Sequence, residues 1–265
     1  MELVLTTPHS HTISLVSNNP ANGGFQIYSA AKVGTTAKIP GSITFNDASV
    51  LPLAFDTAAV GLFSPTEGTK GLGLPPPSLN PKPSGKTVVV WGGSSSVGAL
   101  AIQLAVASGS KVVTTASSHN HQFCKDLGAS EVVDYKSKSV VDDVVNAVQS
   151  VGGDFVGVYD AISIQDQSFD SAVPILEKLG GGIIAVVLYE HPKNAPENVK
   201  TAQVMGINDM THQYWADFIT PALEKGVLKC VPPPVVVGKG LESVQKGLDA
   251  NKKGVSAQKV VIELD

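Results

Sequence analysis

The sequence predicts an α/β fold built on a doubly wound parallel sheet. Short apolar segments rich in β-branched residues alternate with helical segments between residues 87 and 188. Such segments are typical of the strands of a parallel sheet that is buried on both faces. A turn rich in glycine and serine, residues 92–98, joins the first of these strands to the first helix. Together these features predict successive β-α-β units.

The individual elements follow from local patterns along the chain. Strands are predicted at 23–28, 37–40, 87–91, 111–116, 131–134, 155–160, 183–188 and 258–264. Helices are predicted at 45–50, 55–62, 99–105, 120–127, 140–150, 169–179, 214–225 and 241–251. The proline-rich segments 75–83 and 232–234 predict extended connectors, because proline cannot donate the hydrogen bond that continues a helix. Thr44, with Asp47 three residues later, has the spacing of a helix cap.

Composition excludes several classes of protein. The chain has 265 residues, of which 43% are hydrophobic and 16% charged, as expected for a well-buried globular protein. The net charge is −4 without a long basic run, which argues against a nucleic-acid partner. The apolar runs are too short to cross a bilayer, and residues 1–5 do not resemble a signal peptide. Cys124 and Cys230 form no disulfide framework, so we expect a cytoplasmic protein without a membrane partner.

The turn between the first strand and helix of this series predicts a phosphate site. The N–H groups at a helix N-terminus and the helix dipole attract phosphate, and residues with small side chains let a pyrophosphate approach the backbone. The alternating strands around the turn favour this interpretation over that of a surface loop. The predicted pyrophosphate-binding residues are Gly92, Gly93, Ser94, Ser95, Ser96, Val97 and Gly98.

The residues after the second strand of the series indicate which dinucleotide binds. An NAD site carries a carboxylate there to accept hydrogen bonds from the ribose. This chain has Ser117, His119 and Asn120 instead, and no Asp or Glu occurs from Gly68 to Lys125. Hydroxyl, imidazole and amide groups can donate to the 2′-phosphate of NADP, which a carboxylate would repel. The sequence therefore favours NADP(H); the plainer interpretation is that Ser117 and His119 cap the next helix, and both roles can hold together.

Three other motifs give weaker predictions. His9 and His11 offer two imidazoles without a third metal ligand nearby. Tyr28 and Lys32 have the Tyr-x-x-x-Lys spacing of short-chain dehydrogenases, but they lie upstream of the glycine-rich turn instead of downstream. His121 and Cys124 lie one helical turn apart, where a surface helix is the more ordinary interpretation than a metal site. We therefore predict no metal. A hydrolase is also disfavoured, because the chain has no Gly-x-Ser-x-Gly motif.

Longer segments resemble a known family. They are residues 23–28 (GGFQIY), 51–59 (LPLAFDTAA), 89–98 (VVWGGSSSVG), 127–135 (LGASEVVDY) and 240–248 (GLESVQKGL). In this order they resemble the medium-chain dehydrogenase/reductase superfamily, on its zinc-free quinone-oxidoreductase and fungal enoyl-reductase-like side. The resemblance implies a Rossmann domain at 51–206 that binds NADP. It also implies a partial GroES-like β domain built from both ends of the chain, residues 1–50 and 207–265.

The resemblance also implies further cofactor contacts. Tyr135 would pack near the adenine, while Asp160, Ala161 and Leu188 would lie near the nicotinamide. Thr57 would touch the nicotinamide end, and Val255 and Ser256 would line the cofactor from the returning segment. The implied activity is hydride transfer from NADPH to an activated alkene or a quinone, in a monomer or homodimer. No catalytic residue is assigned; Tyr28 is the phenol expected nearest the cleft, and solvent is the other proton source.

The chain departs from the family pattern in two respects. The segment before Gly23 is shorter than the family's β-barrel, which implies either a truncated chain or an unusually open substrate cleft. The alternative function is therefore an NADPH-binding protein that has lost most of its catalytic barrel and its activity. In addition, no Gly-His-Glu motif occurs and no cysteine precedes Cys124, which disfavours a zinc alcohol dehydrogenase.

Overall fold

The computed structural model describes residues 4–6, 21, 24–26, 28–31, 33–68, 70–206 and 209–264. The chain folds into two compact units. One comprises residues 57–206, and the other combines 1–56 with 207–265. The second unit is thus built from both ends of the chain.

The secondary structure alternates between strands and helices over most of the chain. The strands are β1 (Val4–Thr6), β2 (Thr36–Lys38), β3 (Lys86–Trp91), β4 (Lys111–Ala116), β5 (Glu131–Asp134), β6 (Asp154–Asp160), β7 (Gly182–Val186), β8 (Val199–Gln203), β9 (Pro234–Lys239) and β10 (Lys259–Glu263). The helices are α1 (Phe45–Ala48), α2 (Pro52–Phe63), α3 (Ser96–Ala107), α4 (His121–Asp126), α5 (Val140–Val151), α6 (Asp170–Lys178), α7 (His212–Asp217), α8 (Ile219–Glu224) and α9 (Val244–Lys253). No helix within the described ranges is long and apolar enough to cross a membrane.

The unit at 57–206 contains a parallel sheet whose described strands have the order β5-β4-β3-β6-β7-β8. From β3 the chain winds outward through β4 to β5, then returns beside β3 and winds the other way through β6, β7 and β8. The order therefore reverses between β3 and β6, which is where a doubly wound sheet binds its ligand. This topology confirms the predicted fold class.

The core of this unit explains why these segments form strands and helices. Val88, Val89 and Val90 are completely buried in the centre of β3, and α3 is apolar on nearly all sides because it is almost wholly buried. Such helices are found in the interior of a domain. On α5 and α6, Val144, Ile175 and other apolar residues instead pack against the sheet from one helix face.

The second unit contains two small sheets in the part of the chain that is described. In the first, β1 pairs with β2 antiparallel; in the second, β9 and β10 are parallel and α9 connects them. Hydrogen bonds join segments from the two chain ends: Trp215 Nε1 donates to Asp56 Oδ1 at 2.8 Å, and Asn46 Nδ2 donates to Glu263 Oε1 at 2.7 Å. Thr44 caps α1 as predicted, since its hydroxyl accepts from the N–H of Asp47.

Some predicted elements were wrong in detail. Residues 24–26 and 28 form bends instead of a strand, and Gly23 and Ile27 lie outside the described residues. The helix predicted at 214–225 is divided at Phe218 into α7 and α8. Pro234 begins β9 and so is not part of a connector, and β8 was not predicted.

Candidate cofactor-binding site

The turn between β3 and α3 is fixed by hydrogen bonds to β4. Gly92 adopts a left-handed backbone conformation with φ of +80°. Its N–H donates to Thr115 Oγ1 at 3.0 Å, and the N–H of Gly93 donates to the Thr115 carbonyl at 2.9 Å. The N–H of Ser95 then donates to the Gly92 carbonyl at 2.9 Å and closes the turn. The turn is therefore anchored before any ligand arrives.

Glycine is required in this turn because side chains would clash. A Cβ on Gly93 would lie 2.1 Å from Thr114 Oγ1, and one on Gly98 would lie 2.2 Å from the Gly92 carbonyl oxygen. A Cβ on Gly92 would lie 2.7 Å from the side chain of Ile162. These close approaches bring the start of α3 near the end of β3, as in a dinucleotide-binding turn.

The first turn of α3 is suited to an anion. Ser95 is the N-cap, and its Oγ accepts from the N–H of Gly98 at 3.0 Å. Val97 is the second residue of α3, so helix geometry gives its N–H no acceptor within the helix. Ser94, Ser95, Ser96 and Val97 are all partly exposed, and the helix dipole adds positive potential at this end. The turn therefore combines a helix N-terminus with small, partly exposed residues, the features on which the predicted phosphate site depends.

Polar side chains after β4 form one hydrogen-bonded cluster. Ser117 Oγ lies 3.3 Å from His119 Nε2, and Asn120 Nδ2 donates to Ser117 Oγ at 3.3 Å. Within the described part of the chain, neither Ser117 nor Asn120 makes a side-chain cap to a helix. Ser117 is the N-cap residue of the short 3-10 helix at 118–120, but its side chain makes no capping hydrogen bond there. The cluster lies at the carboxyl edge of the sheet and contains no carboxylate.

Tyr135 follows the neighbouring strand. Ala116 of β4 pairs with Asp134 of β5, so Tyr135 comes directly after β5 just as Ser117 comes directly after β4. The Tyr135 side chain is 44% exposed, and Lys136 Nζ lies 5.7 Å from its ring centroid. Sequence reasoning missed Lys136. A lysine directly after an exposed aromatic residue at a strand end was the available signal.

Asp160 ends β6, but its carboxylate is buried. Oδ1 accepts from the N–H groups of Ile162 and Ser163, each at 2.9 Å. Burial raises the pKa of Asp160, while the hydrogen bonds from the N–H groups of Ser163 and Ile162 act in the opposite direction. The Asp160 side chain thus shapes the turn after β6. It leaves Ala161, which is partly exposed, as the nearer surface for a ligand.

Apolar side chains are exposed after β7 and β8. Leu188 is 45% exposed, Tyr189 80% and Met205 42%. Gln203, at the end of β8, donates from Nε2 to the Leu188 carbonyl at 2.9 Å. This region therefore has apolar surface available for a ligand, and its backbone is anchored to the sheet.

Thr57 is held by a residue that sequence reasoning missed. Tyr159 is completely buried in β6, and its hydroxyl donates to the Thr57 carbonyl at 2.9 Å. A Cβ on Gly61 would lie 2.5 Å from Tyr159 Cε2, so α2 has a glycine where the ring packs. A glycine inside a helix and a tyrosine inside an apolar strand were the available signals.

Val255 and Ser256 belong to the other unit. Both are exposed in the turn between α9 and β10. The remaining predicted residues lie in 57–206, and the structure brings together those of the glycine turn, the Ser117 cluster and the ends of β5, β6 and β7 at the carboxyl edge of one sheet.

Curated relatives are similar over almost the whole chain. Dehydrogenase orsE of Emericella nidulans is 44% identical over 263 residues, which cover 96% of this chain and 75% of that protein. Trans-enoyl reductase himH of Aspergillus japonicus is 42% identical over 260 residues, which cover 96% of this chain and 72% of that protein. The chain belongs to the medium-chain dehydrogenase/reductase superfamily, in its zinc-free enoyl-reductase-like branch.

One further comparison concerns the family and another concerns the fold. The profile of the zinc-binding dehydrogenase family matches residues 96–220. The crystal structure of an NAD-dependent alcohol dehydrogenase superposes with a TM-score of 0.69 at 24% identity, covering 92% of this chain and 66% of that one. At this identity the likeness shows the fold alone. Members of this superfamily are oxidoreductases that act on small molecules, and the chain is assigned to that class.

Of the residues in the three other motifs, the structure describes His121, Cys124 and Tyr28. His121 Nε2 lies 3.2 Å from the Ala116 carbonyl oxygen, and burial raises the pKa of the Cys124 thiol to about 12. Among the described residues, no group of three or more His, Cys, Asp or Glu side chains could hold a metal ion. His9, His11 and Lys32 lie outside the described residues, and Tyr28 is 89% exposed.

Proposed function

We propose that this oxidoreductase transfers a hydride from NADPH to an activated alkene or a quinone without a catalytic zinc. The observation that carries the choice of NADPH is the Ser117–His119–Asn120 cluster after β4. Its hydroxyl, imidazole and amide groups can donate to a 2′-phosphate, and no carboxylate in the cluster repels one. Lys136, beside Tyr135 after the neighbouring strand, adds positive charge at this end of the sheet.

The other parts of the cofactor have matching surfaces along the same edge. The N-terminus of α3 would hold the pyrophosphate with backbone donors, including the N–H of Val97. Tyr135 would pack near the adenine. Ala161, Leu188 and Thr57 would bound the nicotinamide. In this assignment the buried side chain of Asp160 acts by shaping the turn that carries Ala161.

The exposed apolar residues support an apolar acceptor. Leu188 and Tyr189 follow β7, and Met205 follows β8, so in this proposal they would lie on the nicotinamide side of the sheet edge. Apolar side chains favour an enone or quinone over a charged substrate because binding removes apolar surface from water. Bound NADPH would supply the hydride from C4 of its nicotinamide. The protein would contribute chiefly by holding acceptor and cofactor in the reacting geometry, with solvent as the proton source.

The test begins with turnover. Purified protein is mixed with NADPH or NADH and a panel of enones and quinones, and the absorbance of the reduced nicotinamide is followed. We expect oxidation of NADPH in preference to NADH and no loss of activity with a metal chelator. NADPH binding without turnover of any acceptor would instead support the alternative of an inactive NADPH-binding protein. Preference for NADH would refute the assignment of the cofactor.

A substitution tests the Ser117 cluster directly. Ser117→Asp introduces the carboxylate that an NAD site would have, so we expect NADPH affinity to fall by about tenfold to hundredfold, equivalent to roughly 1.4–2.8 kcal/mol. NADH affinity should change less. Ser118→Asp is the matched control, because Ser118 is the exposed neighbour and lies outside the cluster. Equal losses in the two variants would indicate a general charge effect and would contradict the proposal.

A further inference from the structure

Ser163 has a backbone conformation that an L-residue rarely adopts. Its φ is +57°, in the left-handed region that glycine occupies without strain. The residue is completely buried, three positions after the end of β6. Strained residues of this kind persist only where the surrounding structure fixes them, and they are common at functional sites. The position of Ser163 therefore needs a structural explanation.

Hydrogen bonds on both sides of Ser163 provide that explanation. Its N–H donates to Asp160 Oδ1 at 2.9 Å, and its hydroxyl donates to the Asp160 carbonyl, also at 2.9 Å. The same hydroxyl oxygen accepts from the N–H of Val187 at 2.8 Å. Val187 is the first residue after β7. One side chain thus connects the turn after β6 to the segment after β7.

The segment after β7 is also held from its other side. Gln203 donates from Nε2 to the Leu188 carbonyl at 2.9 Å. The N–H of Val187 and the carbonyl of Leu188 are therefore both fixed, by side chains from opposite sides of the strand end. A glycine at position 163 would relieve the backbone strain but would remove the hydroxyl that makes the link. The hydroxyl is thus the reason for a serine at this position.

We infer that Ser163 is a positioning residue for hydride transfer. Its hydroxyl fixes the position of the segment that contains Leu188 relative to the turn that contains Ala161. Both residues are assigned to the nicotinamide. The inference rests on the proposed function for its catalytic consequence. The hydrogen-bonded link itself is independent of that function. A small displacement of the reacting groups can lower a rate about a hundredfold while binding is largely kept.

Ser163→Gly and Ser163→Ala test the inference together. Both remove the hydroxyl, but only glycine relieves the left-handed backbone, so Ser163→Ala should be the less stable of the two. The matched control is Asn194→Gly at an exposed position with φ of +58°, which relieves the same conformation without removing the link. We expect Asn194→Gly to leave turnover unchanged.

The first measurement is residue-resolved hydrogen exchange on the protein without ligand. Ser163→Gly should speed exchange of the Val187 amide about tenfold or more. The Val204 amide, which donates to the Val186 carbonyl at 2.9 Å, should stay as protected as in the wild type. Unchanged protection of Val187 in Ser163→Gly would overturn the inference, because the hydroxyl would then not hold this segment.

The second measurement separates positioning from stability. In Ser163→Gly, kcat should fall about tenfold to hundredfold while the Kd for NADPH changes less than about threefold. The kinetic isotope effect with 4-deuterated NADPH should rise, since hydride transfer becomes more rate-limiting. An unchanged kcat would overturn the inference that Ser163 positions the groups for hydride transfer. If the wild type turns over no acceptor, the proposed function fails, and hydrogen exchange alone decides whether Ser163 holds Val187.

Discussion

Gly93→Ala should displace the turn that we assign to the pyrophosphate. The new Cβ would lie 2.1 Å from Thr114 Oγ1 and 2.9 Å from Ile102 Cδ1. Thr114 cannot easily move away, because it is completely buried and its hydroxyl donates to the Val90 carbonyl at 2.6 Å. The turn must therefore shift away from β4, which weakens the bond from the Gly93 N–H to the Thr115 carbonyl.

The expected size of this effect follows from overpacking. Inserting a methyl group into a filled site costs about 1–3 kcal/mol, which lowers the Tm of a unit of this size by roughly 2–12 °C. NADPH affinity should fall at least about tenfold, because backbone donors at the start of α3 move with the turn. Thermal unfolding and NADPH fluorescence titration measure the two effects.

Thr114→Ala provides a sharper test of the reasoning. It removes Oγ1, so the nearest remaining contact of the new Cβ is the flexible end of Ile102. In the Thr114→Ala background, Gly93→Ala should destabilise the protein less than it does in the wild type. The coupling energy in the double-mutant cycle should be about 1 kcal/mol or more. Equal costs in both backgrounds would refute the assigned clash. A folded Gly93→Ala variant with wild-type NADPH affinity would refute the role of the turn.

Three further predictions concern single side chains. Tyr159→Phe removes the hydrogen bond to the Thr57 carbonyl, so we expect the free energy of unfolding to fall by about 0.5–1.5 kcal/mol and kcat to fall a few-fold. An unchanged kcat would contradict the assignment of Thr57 to the site. Ser95→Asp keeps a cap on α3 but repels phosphate, so stability should hold while NADPH affinity falls; Ser95→Ala should instead cost about 1 kcal/mol of stability. Burial raises the pKa of Asp160, so the folded state binds the proton more tightly than the unfolded state does. The free energy of unfolding therefore decreases as the pH rises from about 3.9, the unfolded pKa, through the folded pKa. Asn does not titrate, so Asp160→Asn should remove this decrease. The Tm of the variant minus the Tm of the wild type should therefore become more positive from pH 4 to pH 8, and a difference that does not change with pH would contradict the prediction.

Much of the fold could be predicted because the central strands carry a simple signal. β4 and β5 have the predicted bounds, since each contains consecutive β-branched residues and lies between segments that contain glycine or serine. β8 was missed because it is the last strand of the sheet and only Val199 and Ala202 are buried in it. β9 was missed because three prolines at 232–234 predicted a connector, although proline is allowed as the first residue of a strand.

The candidate site was less predictable than the fold. The glycine turn could be identified from sequence because its conformation requires particular residues. The burial of Asp160 and the left-handed backbone of Ser163 depend on tertiary contacts after β6 and β7, and no local pattern encodes them. The link from Tyr159 to Thr57 joins positions 102 residues apart, which sequence spacing alone does not relate.

The composition of one unit from both chain ends has a consequence for synthesis on the ribosome. The bonds from Trp215 to Asp56 and from Asn46 to Glu263 cannot form until the last part of the chain has emerged. Residues 57–206 lie between these segments, and translating them takes roughly 8–30 s at about 5–20 residues per second. During this interval the early segment cannot make its contacts with residues 207–265. It contains the apolar residues Leu51 and Phe55, which are therefore not yet buried by that part of the chain. Chaperone binding to nascent chains should therefore be concentrated on residues 45–56.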